Sequence, residues 1–230
     1  MKEIIVVGGG FAGLWSAIGA ARRLDTLGIG ADRVGITLIN RDAWHGIRVR
    51  NYESDLSELR VPLKSVLGPA GIRLIEGEVL NVDANARYVV VKTSDGQRDM
   101  TYDRLVLAAG SRVSLPEIPG LAMHAMNIDT FDEAERLDRH LKALSLRVPT
   151  EGRDTVLVIG AGLTGIEAAC HMPQRLKAAG IDAGRVILAD RLPHIGSDMG
   201  EHARPVIDQA LEGLNIETRT AIEIAAVDDD

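Results

Sequence analysis

Three glycines at the spacing G-x-G-x-x-G, Gly8, Gly10 and Gly13, recur 152 residues later as Gly160, Gly162 and Gly165. Glycine at these points has a chemical use. The first allows a tight turn, the second lets a pyrophosphate approach the backbone without meeting a Cβ, and the third lets a helix lie close to the preceding strand. A helix that opens on such a loop offers unpaired N–H groups and a partial positive charge to phosphate oxygens. The spacing alone is weak, because a glycine turn that merely permits packing has the same pattern; what matters is whether each loop follows a strand and opens a helix. A second pair of residues ends the strand after each helix. Asp190, 25 residues beyond Gly165, can accept hydrogen bonds from a ribose diol. Its charge repels a 2′-phosphate, so NADH is expected over NADPH, with the adjacent Arg191 working against that preference. In the first copy the same place holds Asn40, followed by Arg41 and Asp42. Asn40 either bonds a ribose hydroxyl without charge or simply ends its strand.

The elements that must position these residues are legible. Ile4-Ile5-Val6-Val7 is apolar, β-branched and without alternation, as in a parallel strand buried on both faces. Residues 8–13 turn the chain, 14–24 carry helical spacing through Leu14, Ile18 and Ala21, and 34–39 read as the next strand. That is a βαβ unit. Residues 155–159, 160–165 and 185–190 repeat it, and Ala17, Arg23 and Leu24 fall on Ala169, Arg175 and Leu176. Between the copies, 74–93 read as strands in a hairpin-like arrangement turning at 83–86, with a second turn at 94–97 and a strand from 102 that ends in Gly110. Leu115-Pro116-Glu117-Ile118-Pro119-Gly120 is the best domain boundary. Thr130 and Glu133 fit a capping box opening a helix with Phe131, Ala134, Leu137, Leu141 and Leu144 on one face. The fold class is α/β: two Rossmann-like units with central parallel sheets.

Composition excludes several alternatives. The 230 residues are 46% apolar, enough for a buried core, and carry 26 basic and 33 acidic side chains, a net charge of −7. With no Lys/Arg-rich run, a nucleic-acid surface is not expected. One cysteine, Cys170, leaves no disulfide framework and no CxxC pair, and the six histidines show no i,i+4 pair, so no metal site is expected. Residues 4–21 are uncharged and close to membrane-spanning length, but the glycines at 8, 9, 10 and 13 would break a spanning helix and no cleavage site follows. The chain therefore reads as cytoplasmic, at most peripheral on the cytoplasmic face of a membrane.

Four stretches in order, IIVVGGGFAGL, YDRLVLAAGSR, LPEIPG and VLVIGAGLTGIEAA, with a weaker fifth, ELRVPLKSVL, resemble the flavoprotein superfamily of FAD- and NAD(P)-dependent pyridine nucleotide oxidoreductases with two dinucleotide-binding domains. Within it the chain is most similar to the type II NADH dehydrogenase-like branch. The resemblance implies FAD and NADH as cofactors, hydride transfer from NADH to the flavin, and an electron acceptor that is a small molecule or protein, a quinone being favoured. It implies an FAD-binding segment over residues 1–115 and an NAD(H)-binding domain over 116–230. Gly8, Gly10, Phe11, Ala12 and Gly13 would hold the FAD pyrophosphate; Asn40 and Arg41 would meet its adenosine ribose, where the family usually has an acid; Val79 would face the adenine through its backbone; Ala109 and Gly110 would lie beside the FAD. Gly160, Gly162, Leu163, Thr164 and Gly165 would hold the NADH pyrophosphate and Asp190 its ribose. Glu167, in the first turn of the second helix, would either stand where nicotinamide meets flavin, as the catalytic residue, or stabilise the helix N-terminus.

The disulfide reductases of that superfamily carry a CxxxxC after the first helix, which is missing, so Cys170 is expected to pack as a small apolar residue. By the family pattern the chain ends partway through the NAD domain, before the segment that returns to the FAD domain. The 230 residues alone are therefore expected to hold FAD poorly and to be inactive, with any membrane contact lying in the missing part. The resemblance is compatible with a homodimer and leaves the oligomeric state open. Competing readings are a soluble NAD(P)H-dependent flavin reductase of an iron–sulfur or haem protein, and a non-catalytic nucleotide-binding redox sensor, the latter favoured by Asn40.

Overall fold

The computed structural model describes residues 1–150 and 152–228. Its contacts divide the chain into two units, Met1–Ile47 with Glu58–Arg112, and Arg48–Ser57 with Val113–Asp230. The cut after Arg112 falls just before the expected boundary at 115/116, and the short piece Arg48–Ser57 joins the second unit.

The first unit is built on β1 (Lys2–Val7), α1 (Phe11–Thr26) and β2 (Val34–Asn40), followed by β3 (Trp44–Gly46), β4 (Arg60–Pro62), α2 (Leu63–Leu67), β5 (Arg73–Glu76), β6 (Glu78–Asp83), β7 (Tyr88–Thr93), β8 (Gly96–Thr101) and β9 (Arg104–Leu107). A parallel sheet runs β5-β2-β1-β9. Both faces of β1 are covered, which is why its run of Ile and Val does not alternate. Val6 packs with Leu14 and Ala17 of α1, Leu38 of β2, and Leu63 and Leu67 of α2. Ile5 and Val7, on the opposite face, pack with Val89 and Val91 of the antiparallel meander β6-β7-β8. The uncharged stretch 4–21 is thus a strand, a glycine turn and a helix, and among the described residues no helix is long and apolar enough to cross a membrane. The polar strand β8 (GQRDMT) carries no hydrophobic alternation and was invisible to pattern reading; it forms because β7 offers it a full antiparallel register from Tyr88↔Thr101 to Thr93↔Gly96.

The second unit contains α3 (Leu121–His124), α4 (Phe131–Leu144), β10 (Thr155–Ile159), α5 (Leu163–Ala178), β11 (Arg185–Ala189), α6 (Arg204–Gly213) and β12 (Glu217–Arg219). Its parallel sheet runs β10-β11-β12. As the sequence leads one to expect, α4 starts at a Thr130 cap whose side chain accepts from the Glu133 N–H at 3.3 Å. Leu141 and Leu144 of α4 pack against Ala169, Met172 and Leu176 of α5 and Leu188 of β11.

Candidate dinucleotide sites

Each glycine loop follows the first strand of its βαβ unit and opens a long helix, so the geometry can be read position by position. Gly8 has φ +104° and Gly160 φ +97°, values that L side chains rarely adopt. Their N–H groups donate at 2.8 Å to the carbonyls of Ile39 and Ala189, at the C-terminal end of the neighbouring strand in each copy. A Cβ on Gly13 would lie 1.9 Å from the Gly8 carbonyl oxygen, and one on Gly165 1.8 Å from that of Gly160. Those glycines are demanded by the protein itself. The middle ones are not. Gly10 (φ −71°, ψ −175°) and Gly162 (φ −72°, ψ 178°) have ordinary backbone angles, and a Cβ on either would meet nothing within 4 Å. Both are N-caps with no side-chain cap, neither helix has an acid in its first turn, and neither glycine's N–H has a partner among the described residues. Phe11, Ala12, Leu163 and Thr164, which open the two helices, are exposed.

The strand-end residues do something pattern reading missed. Asn40 Oδ1 accepts the Gly9 N–H at 2.8 Å, and Asp190 Oδ2 accepts the Ala161 N–H at 2.5 Å. Each ties the middle of its glycine loop to the end of the second strand. Asn40 Nδ2 faces the Asp42 carbonyl (3.0 Å), the Asp42 carboxylate (3.2 Å) and the Trp44 carbonyl (3.3 Å), so its two protons are spoken for and only Oδ1 can take a further partner. Asp190 Oδ1 accepts from the Leu192 N–H at 2.7 Å, leaving a lone pair on each oxygen. In the first unit a cleft of about 320 Å³ at the C-terminal ends of the strands is lined by Gly8, Asn40, Arg41, Val79, Ala109 and Gly110 among others, which brings together six residues singled out from distant parts of the sequence. A register shift between Val79 and Asn81 lies in this wall. A hollow of about 430 Å³ in the second unit, lined by Thr155 and Arg185, lies at the opposite, N-terminal ends of β10 and β11, where open parallel sheets do not place ligands.

Glu167 needs a correction. It is the fifth residue of α5, and the first turn of that helix holds no acid, so it does not serve as a carboxylate at the helix N-terminus. Its partner is Tyr52, whose hydroxyl donates to Glu167 Oε1 at 3.5 Å and whose ring lies 4.9 Å from that of His171, one turn further along α5. Burial, then the nearby carboxylates of Glu167 and Glu53, push the Tyr52 phenol up. Tyr52 is held there because Asn51 Nδ2 donates to the Ile128 carbonyl at 3.0 Å and Arg48 pairs with Asp129. No sequence signal links 52 to 167. Cys170 packs at the edge of the second core, and burial and Glu167 push its thiol up, away from the reactive thiolate. Among the described residues no group of three His, Cys, Asp or Glu is placed to hold a metal ion.

The profile of the family described as Pyridine nucleotide-disulphide oxidoreductase matches residues 2–230. An NADH dehydrogenase-like protein of Mycobacterium tuberculosis is 50% identical over 232 residues, covering 99% of this chain and 57% of that protein. A type II NADH:quinone oxidoreductase of Staphylococcus haemolyticus is 31% identical over 199 residues, covering 80% of this chain and 47% of that protein. The structure of NDH2 from Plasmodium falciparum in complex with NADH shares the fold with a TM-score of 0.81 at 15% identity, over 99% of this chain and 49% of that one. The chain thus spans about half the length of the curated relatives it matches.

Proposed function

Because the chain belongs to the pyridine nucleotide-disulphide oxidoreductase family, we propose that it is the nucleotide-binding part of an FAD-dependent NADH dehydrogenase that passes electrons to a quinone. The observation that carries this is the pair of loops in which the outer glycines are required by internal contacts while Gly10 and Gly162 face open space with free N–H groups. The residues present fit a pyrophosphate at each loop, since a Cβ there would occupy the cradle.

The first unit takes FAD. Gly10, Phe11, Ala12 and Gly13 offer main-chain donors to the pyrophosphate, Asn40 Oδ1 accepts from a ribose hydroxyl beside Arg41, and Val79, Ala109 and Gly110 line the cleft. The second unit takes NADH, with Gly162, Leu163, Thr164 and Gly165 at the pyrophosphate and Asp190 at the ribose diol. FAD when bound supplies the acceptance of hydride from NADH and its release as two electrons to the quinone, which takes up two protons. Glu167, held by Tyr52, is the one carboxylate of the helix that opens on the second loop, and we assign it to that transfer. The quinone is taken from the likeness to a protein bearing that name, and our reading adds an enzyme on the cytoplasmic side that meets a membrane surface peripherally, where a quinone is reached.

Asn40 does not favour a non-catalytic sensor. Its amide donates to Asp42 and Trp44 while accepting from Gly9, and a carboxylate in its place would face the Asp42 carboxylate with no proton to share. The neutral side chain follows from the turn at 41–44. The test is the visible spectrum of the intact protein under anaerobic conditions. Flavin bands should bleach on one equivalent of NADH and return on adding a soluble quinone. A protein that carries no flavin, or whose flavin NADH does not bleach, would overturn the proposal.

A further inference from the structure

The Gly9 carbonyl and the Gly10 N–H belong to one planar trans peptide, so they point in opposite directions. Whatever holds the carbonyl aims the N–H. The Gly9 carbonyl oxygen lies 2.7 Å from His45 Nδ1. A carbonyl only accepts, so the ring carries its proton on Nδ1. His45 is 6% exposed, sits opposite Val61 in the two-stranded β3-β4 sheet, and meets Phe11 edge to face with centroids 4.8 Å apart. The ring is therefore buried and held against Phe11.

The second copy solves the same problem with different chemistry. There the Ala161 carbonyl accepts the Gly196 main-chain N–H at 3.0 Å. In both copies the middle residue of the loop is gripped twice: its N–H by the strand-end side chain, Asn40 or Asp190, and its carbonyl by a donor from the segment after that strand. The grip on the N–H also aims the preceding carbonyl, that of Gly8, toward Gly13, which is where it is found. The recurrence with unrelated donors, imidazole in one copy and main chain in the other, indicates that the carbonyl has to be held rather than that a histidine happens to pack there.

We infer that His45 is a positioning residue of the first loop, holding the Gly9 carbonyl inward so that the Gly10 N–H is presented to a pyrophosphate. This rests on the reading that the first loop takes a dinucleotide. The test uses the intact protein stripped of flavin, as wild type, His45→Leu and His45→Asn; the Asn amide can donate where imidazole Nδ1 does. Two quantities are read: the NMR shift of the Gly9 carbonyl carbon without ligand, which reports the hydrogen bond its oxygen accepts, and FAD affinity by titration, with NADH affinity as an internal control of folding. His45→Leu should move the Gly9 carbonyl shift upfield and weaken FAD by about tenfold, the scale of one lost hydrogen bond, with NADH affinity unchanged. His45→Asn should return the shift toward its wild-type value and FAD affinity to within about threefold of wild type. If His45→Leu leaves both unchanged, or if His45→Asn is as impaired as His45→Leu, the inference is overturned, the second result assigning the effect to ring packing on Phe11. A wild-type protein that takes up no FAD sinks the dinucleotide reading, and an unchanged Gly9 carbonyl shift in His45→Leu separately sinks the grip.

Discussion

The six motif glycines are chemically identical and do unlike work. Gly13→Ala and Gly165→Ala force a Cβ to within 2 Å of a carbonyl oxygen in their own loops, and should destabilise by at least about 2 kcal/mol. Gly10→Ala and Gly162→Ala meet no protein atom and should lower stability by no more than about 1 kcal/mol, through loss of a favourable N-cap residue, while weakening FAD and NADH respectively. Thermal melts with and without nucleotide separate the two classes; equal destabilisation by all four would mean that the middle glycines are packing residues. Asp190 has a double role of the same kind. Asp190→Ala, which releases the Ala161 N–H, should weaken NADH and NADPH alike. Asp190→Asn keeps an acceptor, removes the charge that repels a 2′-phosphate, and should narrow an NADH preference of about tenfold or more in kcat/KM. Steady-state kinetics with both coenzymes decide it, and a parent enzyme that prefers NADPH would point to Arg191 instead.

At the level of elements, the joint between α4 and α5 holds a buried charge. Arg175 is 4% exposed, neither Nη atom finds a hydrogen-bond partner, and its nearest carboxylate, Asp138 Oδ1, is 3.6 Å away, while Asp138 Oδ2 pairs with Lys142 at 2.7 Å. Burial draws the guanidinium below its ordinary value and Asp138 opposes it. Such a pair rarely repays its desolvation, whereas removing one partner strands the other charge. Arg175→Met leaves Asp138 paired with Lys142 and should be neutral or stabilising, by up to about 2 kcal/mol, whereas Asp138→Asn strands the buried guanidinium and should be destabilising by about 3 kcal/mol. Urea denaturation of the two variants gives the sign directly, and a strongly destabilised Arg175→Met would show that the guanidinium stem packs better than its polar end suggests.

At the level of the whole molecule, each unit's parallel sheet ends on a strand that carries exposed apolar side chains. Leu157 and Ile159 of β10 are 47% and 46% exposed, and Leu107 of β9 is 65% exposed. Unpaired edges of this kind template association unless something covers or charges them. The 230-residue chain should therefore self-associate as its concentration rises, and Leu157→Lys, which places a charge on the edge, should reduce that association. Sedimentation velocity across a concentration series measures both, and a chain that stays monodisperse throughout would count against the argument.

Local chemistry was enough to read the two βαβ units, the cap at Thr130 and the glycine loops, because each depends on residues within a few positions of one another: β-branched runs, glycine where φ must be positive, a hydroxyl three residues before a carboxylate. What the sequence could not decide is what depends on contacts between distant segments. Arg23 and Arg175 are equivalent in the repeat, yet the first is exposed and the second buried, because α4 packs over α5 and brings Asp138 with it. Tyr52 and Glu167 stand 115 residues apart and meet only because Asn51 and Arg48 fasten their segment to the chain near residue 128. Asn40 read as a departure from an acidic pattern until the turn at 41–44 put the Asp42 carboxylate against its amide. Spacing names the residues that can turn a chain or accept a proton; which partner each one faces is decided by how the helices and strands pack.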